Sequence, residues 1–232
     1  MPEAPGVDLL RLLARATAHD LNNSLTAVLG NVSLARASGG SSEPLAGDVL
    51  LDAENASRRM RLLVEQLRSL PDCLTAGAGA VPAGSLGGMV EELLELGTGT
   101  GSGRGRVVTS CSECAILVPG AVFRFAVACV INSLLRSAPD ESGLTVSISL
   151  ERGPDRTGRH WVVVVESAVD PPGSRAPDVA SDTSLSAADR LLGLAGGSLG
   201  RVGGTSDEGL LRIELPCLPD VDGEPDAGEA GS

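Results

Sequence analysis

His19 is followed directly by Asp20 and, one helical turn later, by Asn23. These residue types at this spacing suit nucleophilic chemistry. A carboxylate that holds the proton of one ring nitrogen leaves the other nitrogen more nucleophilic. An amide four residues on lies on the same helix face, within reach of a phosphoryl oxygen or an attacking water. The second histidine, His160, opens a candidate strand and reads as incidental. Cys111 and Cys114 have the spacing of half a zinc knuckle or a redox dithiol. Neither a second cysteine pair nor a nearby histidine completes four ligands, so no metal site is expected there. With Cys73, Cys129 and Cys217 they make five thiols, an odd number in a chain too large to need disulfide staples.

The element that must carry His19 is a long helix over residues 8–37. Leu10, Ala14, Leu21, Leu25, Val28 and Val32 fall on one arc of it, widened by Leu13 and Leu29 and interrupted by Thr17. On a wheel of about 100° per residue, His19, Asn23 and Thr26 lie about 160°, 200° and 140° from Leu21. His19 therefore faces solvent. A Gly-Gly-Ser-Ser-Glu-Pro turn at 39–44 leads to a second helix from 45 to 70. Its apolar positions are Val49, Ala53, Ala56, Met60, Leu63, Leu67 and Leu70, and Pro71 is expected to stop it. A two-helix hairpin cannot cover both of its stripes. A four-helix bundle made by two chains is the expected solution.

The chain has 232 residues, of which 42% are apolar, enough for a sizeable core. A net charge of −12 disfavours binding to nucleic acid or to anionic lipid. Phe123, Phe125 and Trp161 are the whole aromatic inventory, too few for a base-stacking platform. The N-terminus lacks the basic and apolar regions of a signal peptide, and no apolar run approaches eighteen residues. A cytoplasmic protein without membrane contact is the expectation.

After residue 84 the composition changes. Helices are expected at 86–96, 121–137 and 185–195, and strands at 106–110, 115–118, 144–151, 161–167, 198–202 and 210–216. The run WVVVVES at 161–167 suggests a strand buried on both faces or nearly so. The fold class is α plus α/β: a long antiparallel hairpin followed by a two-layer sandwich of helices on a mixed sheet. The divisions are 1–72 for the hairpin, 73–84 for a linker, 85–218 for the sandwich and 219–232 for an acidic disordered tail.

The string His19-Asp20-Leu21-Asn22-Asn23-Ser24-Leu25-Thr26 resembles the dimerisation and histidine-phosphotransfer region of two-component sensor kinases, over about residues 8–70. The resemblance implies that His19 takes a phosphoryl group on a ring nitrogen, that Asp20 assists and that Asn23 handles phosphate. It also implies a receiver-domain partner, met by Asn22 and Thr26 and by apolar positions of the second helix, for which Met60 and Leu62 are the candidates.

The later part resembles the ATP-binding domain of the same kinases. Asn132 occupies the place of an asparagine that coordinates magnesium, while its companion one turn earlier is Ala128. An adenine-binding aspartate is replaced by Glu166, and the glycines expected after it by Ala168 and Asp170. A side chain resists the positive φ that glycine adopts there, and an acid repels polyphosphate. Residues 173–190 carry no glycine-x-glycine pair. The loop GTGTGSGRG at 97–105 lacks the Gly-Lys-Ser/Thr of a P-loop, and the chain has no lysine. Asn132 and Glu166 thus read as a vestigial nucleotide site.

The first expected function is histidine phosphotransfer without ATP. His19 exchanges a phosphoryl group with receiver aspartates, needs no cofactor of its own, and uses the magnesium that the receiver supplies. One alternative is an active soluble histidine kinase using ATP and magnesium. The other is a non-enzymatic scaffold that binds response regulators.

Overall fold

A computed structural model of the chain describes residues 5–37, 45–75, 81–82, 84–98, 105–110, 114–137, 143–152, 161–170, 177–202 and 210–219. Two long helices, α1 (Pro5–Ala37) and α2 (Leu45–Thr75), pack side by side as a hairpin. Ala53, Ala56 and Leu63 of α2 are buried, and from α1 Thr17 joins them. The rest of the α1 stripe is less covered. Leu21, Val28 and Val32 are half-buried, whereas Leu25 and Leu29 are 45% and 59% exposed.

Pro71 lies inside α2 rather than ending it. A proline within a helix loses one hydrogen bond and crowds the preceding turn, at a cost of about 3 kcal/mol. Leu70 and Cys73 on either side of it are buried in the core, and this burial offsets the penalty. The stretch expected as a linker is correspondingly shorter. Residues 73–75 are helical and Val81–Pro82 is a short strand, β1, while 76–80 and 83 lie outside the described residues.

The second part alternates helix and strand: α3 (Gly84–Thr98), β2 (Gly105–Thr109), β3 (Cys114–Ile116), α4 (Gly120–Ser137), β4 (Gly143–Arg152), β5 (Trp161–Asp170), α5 (Thr183–Leu194), β6 (Ser198–Val202) and β7 (Leu210–Pro219). The strands form one mixed sheet in the order β1-β3-β7-β5-β4-β2, with β6 also paired to β7. Among the described residues, only the β2–β4 pairing is parallel. Strand residues alternate between faces. Leu144, Val146 and Ile148 of β4 and Leu211, Ile213 and Leu215 of β7 are buried with α3, α4 and α5. Their intervening neighbours are only partly covered, so the architecture has two layers. The hairpin packs on the helical layer, chiefly through α2 against α4 and α3.

β5 does not have two buried faces where its side chains are described. Val165 and Ser167 are buried, but Glu166 between them is half-buried on the other side. A single helical layer covers only one face of the sheet, which leaves the alternate positions to polar side chains. His160 and Cys111 lie outside the described residues, as do 99–104 of the glycine-rich loop and 220–232 of the acidic tail.

α5 has well-defined ends. Asp182 caps its start, its carboxylate accepting from the N–H groups of Ser184 and Leu185. At its end, Gly196 N–H donates to the Gly193 carbonyl and Gly197 N–H to the Leu192 carbonyl. This Schellman arrangement needs a left-handed residue, and Gly196 supplies it with φ +83°. α4 is long and apolar enough to cross a membrane, but two-thirds of that stretch is buried in this core.

Candidate functional site

His19 projects from α1 with its side chain 75% exposed. Helix geometry sets Asn23 one turn below, and its Nδ2 lies 3.1 Å from His19 Nδ1. Asp20 Oδ1 is 3.6 Å from the same nitrogen, beyond hydrogen-bond length. Orientation of the imidazole, expected from Asp20, therefore falls to Asn23. The physical reason is a competing cation. Asp20 Oδ2 accepts from Arg136 Nη1 at 3.1 Å, which draws the carboxylate toward the end of α4.

Arg136 reaches further. Its Nη2 pairs with Asp182 Oδ2 at 2.5 Å. That carboxylate also accepts from the Ser133 hydroxyl at 2.6 Å, in addition to capping α5. Arg136 thus links α1 to the start of α5 through two carboxylates. Neither Arg136 nor Asp182 was expected at the site from the sequence. One signal was legible: α4 contains only two charged residues, Arg124 and Arg136, on an otherwise apolar helix.

An open cavity of about 540 Å³ lies beside this cluster, lined by His19, Asp20, Arg136, Asp182, the 177–178 stretch and Ser181 to Ser184. A smaller one of about 230 Å³ lies between the hairpin and α4, bounded by Asp20, Asn23, Arg59, Asn132 and Arg136 among others. Asn132 is 1% exposed, and its Oδ1 has no hydrogen-bond partner among the described residues.

Of the residues expected to meet a partner, Asn22 and Thr26 are exposed beside His19. The Thr26 hydroxyl donates to the Asn22 carbonyl at 2.8 Å. Met60 is half-buried. Leu62 is fully buried and belongs to the main core, so it forms no part of a docking surface. α2 is covered on two sides, by α1 and by α4, and Leu62 faces the second.

The structure does not bring Asn132 and Glu166 together. Asn132 faces the hairpin, whereas Glu166 stands on the sheet face away from the helices. There it pairs with Arg212 at 3.2 Å, and Arg212 also binds Glu214 at 3.1 Å. Ala168–Asp170, where side chains stand in place of glycines, continue β5 in register with Gly143–Thr145. These residues do not fit one nucleotide between them. Among the described residues, no three His, Cys, Asp or Glu side chains converge to hold a metal ion.

Residues 9–71 match the family model of the His Kinase A (phospho-acceptor) domain. No curated protein matches the chain in sequence. A solved bacterial phosphotransferase shares the fold at 13% identity and a TM-score of 0.50, over 92% of this chain and 98% of that one. The histidine kinase domain of a blue-light activated kinase from Erythrobacter litoralis aligns at 17% identity and a TM-score of 0.41, over 91% and 93%. The histidine kinase AdeS of Acinetobacter baumannii aligns at 14% and 0.45, over 85% and 97%. The hairpin matches a HisKA-type phospho-acceptor domain, and the hairpin and mixed sheet together share the fold of the bacterial phosphotransferase.

Proposed function

We propose that this chain is a phosphoryl-transfer protein of two-component signalling, with His19 as the residue that receives and passes on the phosphoryl group. The observation that carries this reading is an exposed imidazole whose Nδ1 is held by Asn23, within a segment that matches the phospho-acceptor family. Turning the Asn23 amide presents its oxygen to an Nδ1–H and frees the lone pair of Nε2. Nε2 then attacks the phosphorus of an aspartyl phosphate on a receiver domain. A P–N bond forms, the P–O bond breaks, and the aspartate leaves as a carboxylate with the bonding pair. The ring becomes a phosphoimidazolium, and reversal returns the group to a receiver. Positioning supplies most of the catalysis, and the receiver brings its own magnesium.

The donor divides two readings. The His Kinase A match, followed by an α/β layer of kinase-like fold, favours ATP-dependent autophosphorylation over transfer without ATP. The placement of Glu166 on the outer sheet face, away from Asn132, favours a receiver as donor. The bacterial phosphotransferase that shares the fold supports transfer in general. The partner in either case is a receiver domain, and the exposed Leu25 and Leu29 support pairing of the hairpin with a second copy.

Labelled ATP with magnesium and a phosphorylated receiver, offered separately to the full chain, decide among these. Label from the receiver alone, lost in His19→Gln, selects the relay. Label from ATP selects the kinase. No transfer to His19 from either leaves a scaffold and overturns the proposal.

A further inference from the structure

We infer that Arg136 is the phosphoryl-contacting cation of the His19 site, which rests on the reading of His19 as phospho-acceptor. The cavity beside His19 is lined by three carboxylates, Asp20, Asp178 and Asp182. A phosphoryl group carries about two negative charges into this surrounding, so transfer requires local positive charge. Among the described residues lining this cavity, Arg136 is the one guanidinium. Its side chain is 37% exposed, and it shares both the cavity and the neighbouring Asp20 carboxylate with the imidazole, Nη1 lying 3.1 Å from Oδ2 and His19 Nδ1 3.6 Å from Oδ1.

The guanidinium is held for this role from behind. Asp182, with its side chain 10% exposed, is fixed by the Ser133 hydroxyl and by two backbone N–H groups of α5, and it binds Nη2. Nη1 rests on Asp20. A planar fork anchored through one nitrogen can present the other to a phosphate oxygen with little reorganisation. On phosphorylation of His19, Nη1 exchanges the Asp20 carboxylate for the phosphoryl oxygen while Nη2 stays on Asp182. Arg136 then neutralises charge as the P–N bond forms and the leaving group departs with its electron pair. Asp20, freed of its ion pair, faces the imidazolium.

The test uses the full chain and phosphoramidate as phosphodonor, with His19 phosphorylation followed by intact mass and His19→Gln as blank. Arg136→Gln is expected to slow labelling at least about tenfold, and Arg136→Lys to restore part of the rate. Asp182→Asn removes the rear charge but keeps a good helix cap and an amide oxygen for Nη2, and should slow labelling less than Arg136→Gln does. Equal labelling of the parent and Arg136→Gln overturns the inference and leaves the role of His19 intact. So does a loss in Asp182→Asn as large as in Arg136→Gln, because Arg136 would then act only by fastening α1 to α5. If Arg136→Gln does not fold, as read by circular dichroism, Arg136→Lys and Asp182→Asn decide on the same criteria. A parent chain that takes no label removes both the inference and its premise.

Discussion

Arg124 Nε lies 2.6 Å from Glu65 Oε1, joining the start of α4 to the middle of α2. The same guanidinium forks onto both carboxylate oxygens of Glu92 on α3, at 2.8 Å each. One arginine thus ties the hairpin to two helices of the α/β layer. Truncating it leaves the Glu65 carboxylate, 16% exposed, without this partner. Arg124→Ala should lower stability by about 1–3 kcal/mol in urea denaturation.

The Arg124 hydrogen bond holds the Glu92 carboxyl below its ordinary 4.5, with burial opposing it and the Arg124 charge adding to it. A carboxyl lowered in the folded state adds stability above its unfolded value and loses it as pH falls through the folded one. Stability should therefore decline below about pH 4.5, and Glu92→Gln should flatten that decline. Denaturation midpoints across an acid pH series check the slope.

Leu62 and the α3–α4 layer meet closely at Gly97. A Cβ on Gly97 would lie 2.9 Å from Leu62 Cδ1 and 2.8 Å from Leu135 Cδ1. Gly97→Ala should cost about 1–3 kcal/mol by overpacking, and Leu62→Ala about 2–5 kcal/mol by leaving a cavity. The double variant should be more stable than the sum of the two, since one of the two close obstructions is gone. A double-mutant cycle by chemical denaturation measures this coupling.

Leu25 and Leu29 are one turn apart on the uncovered side of α1. Leu25→Asp with Leu29→Asp should shift the chain toward a monomer in light-scattering chromatography while leaving its circular dichroism unchanged. A parent chain that is already monomeric at every concentration would remove the bundle between copies.

Burial pushes the Cys129 thiol well above its ordinary value, and pushes that of Cys73 up to about 12. The thiolate is the reactive form. Both should resist a disulfide reagent at pH 8 in the folded chain and react at once in denaturant, as mapped by peptide mass.

The helical period makes the His19–Asn23 pairing legible from sequence, because residues four apart must share a face. Asp20's partner was not legible. Arg136 lies 116 residues away on α4, and only the packing of the hairpin against the helical layer brings the two together. Leu62 was misplaced because a single-stripe reading of α2 gives it one buried face, whereas α1 and α4 cover two. Strand alternation was readable, and it is what turns Glu166 outward once Val165 and Ser167 face the helices. The continuation of α2 through Pro71 depends on the burial of Cys73, which no local pattern states.

Arg124 and Arg136 stand at opposite ends of α4, twelve residues or about 18 Å apart along its axis. One fastens α2 and the other α1. A rod pinned at two points keeps its angle, and one pinned at a single point can turn about it. Release of Asp20 by Arg136 would remove the second pin and leave the hairpin held by the Glu65–Arg124 pair and the buried α2 residues Leu62, Leu70 and Cys73.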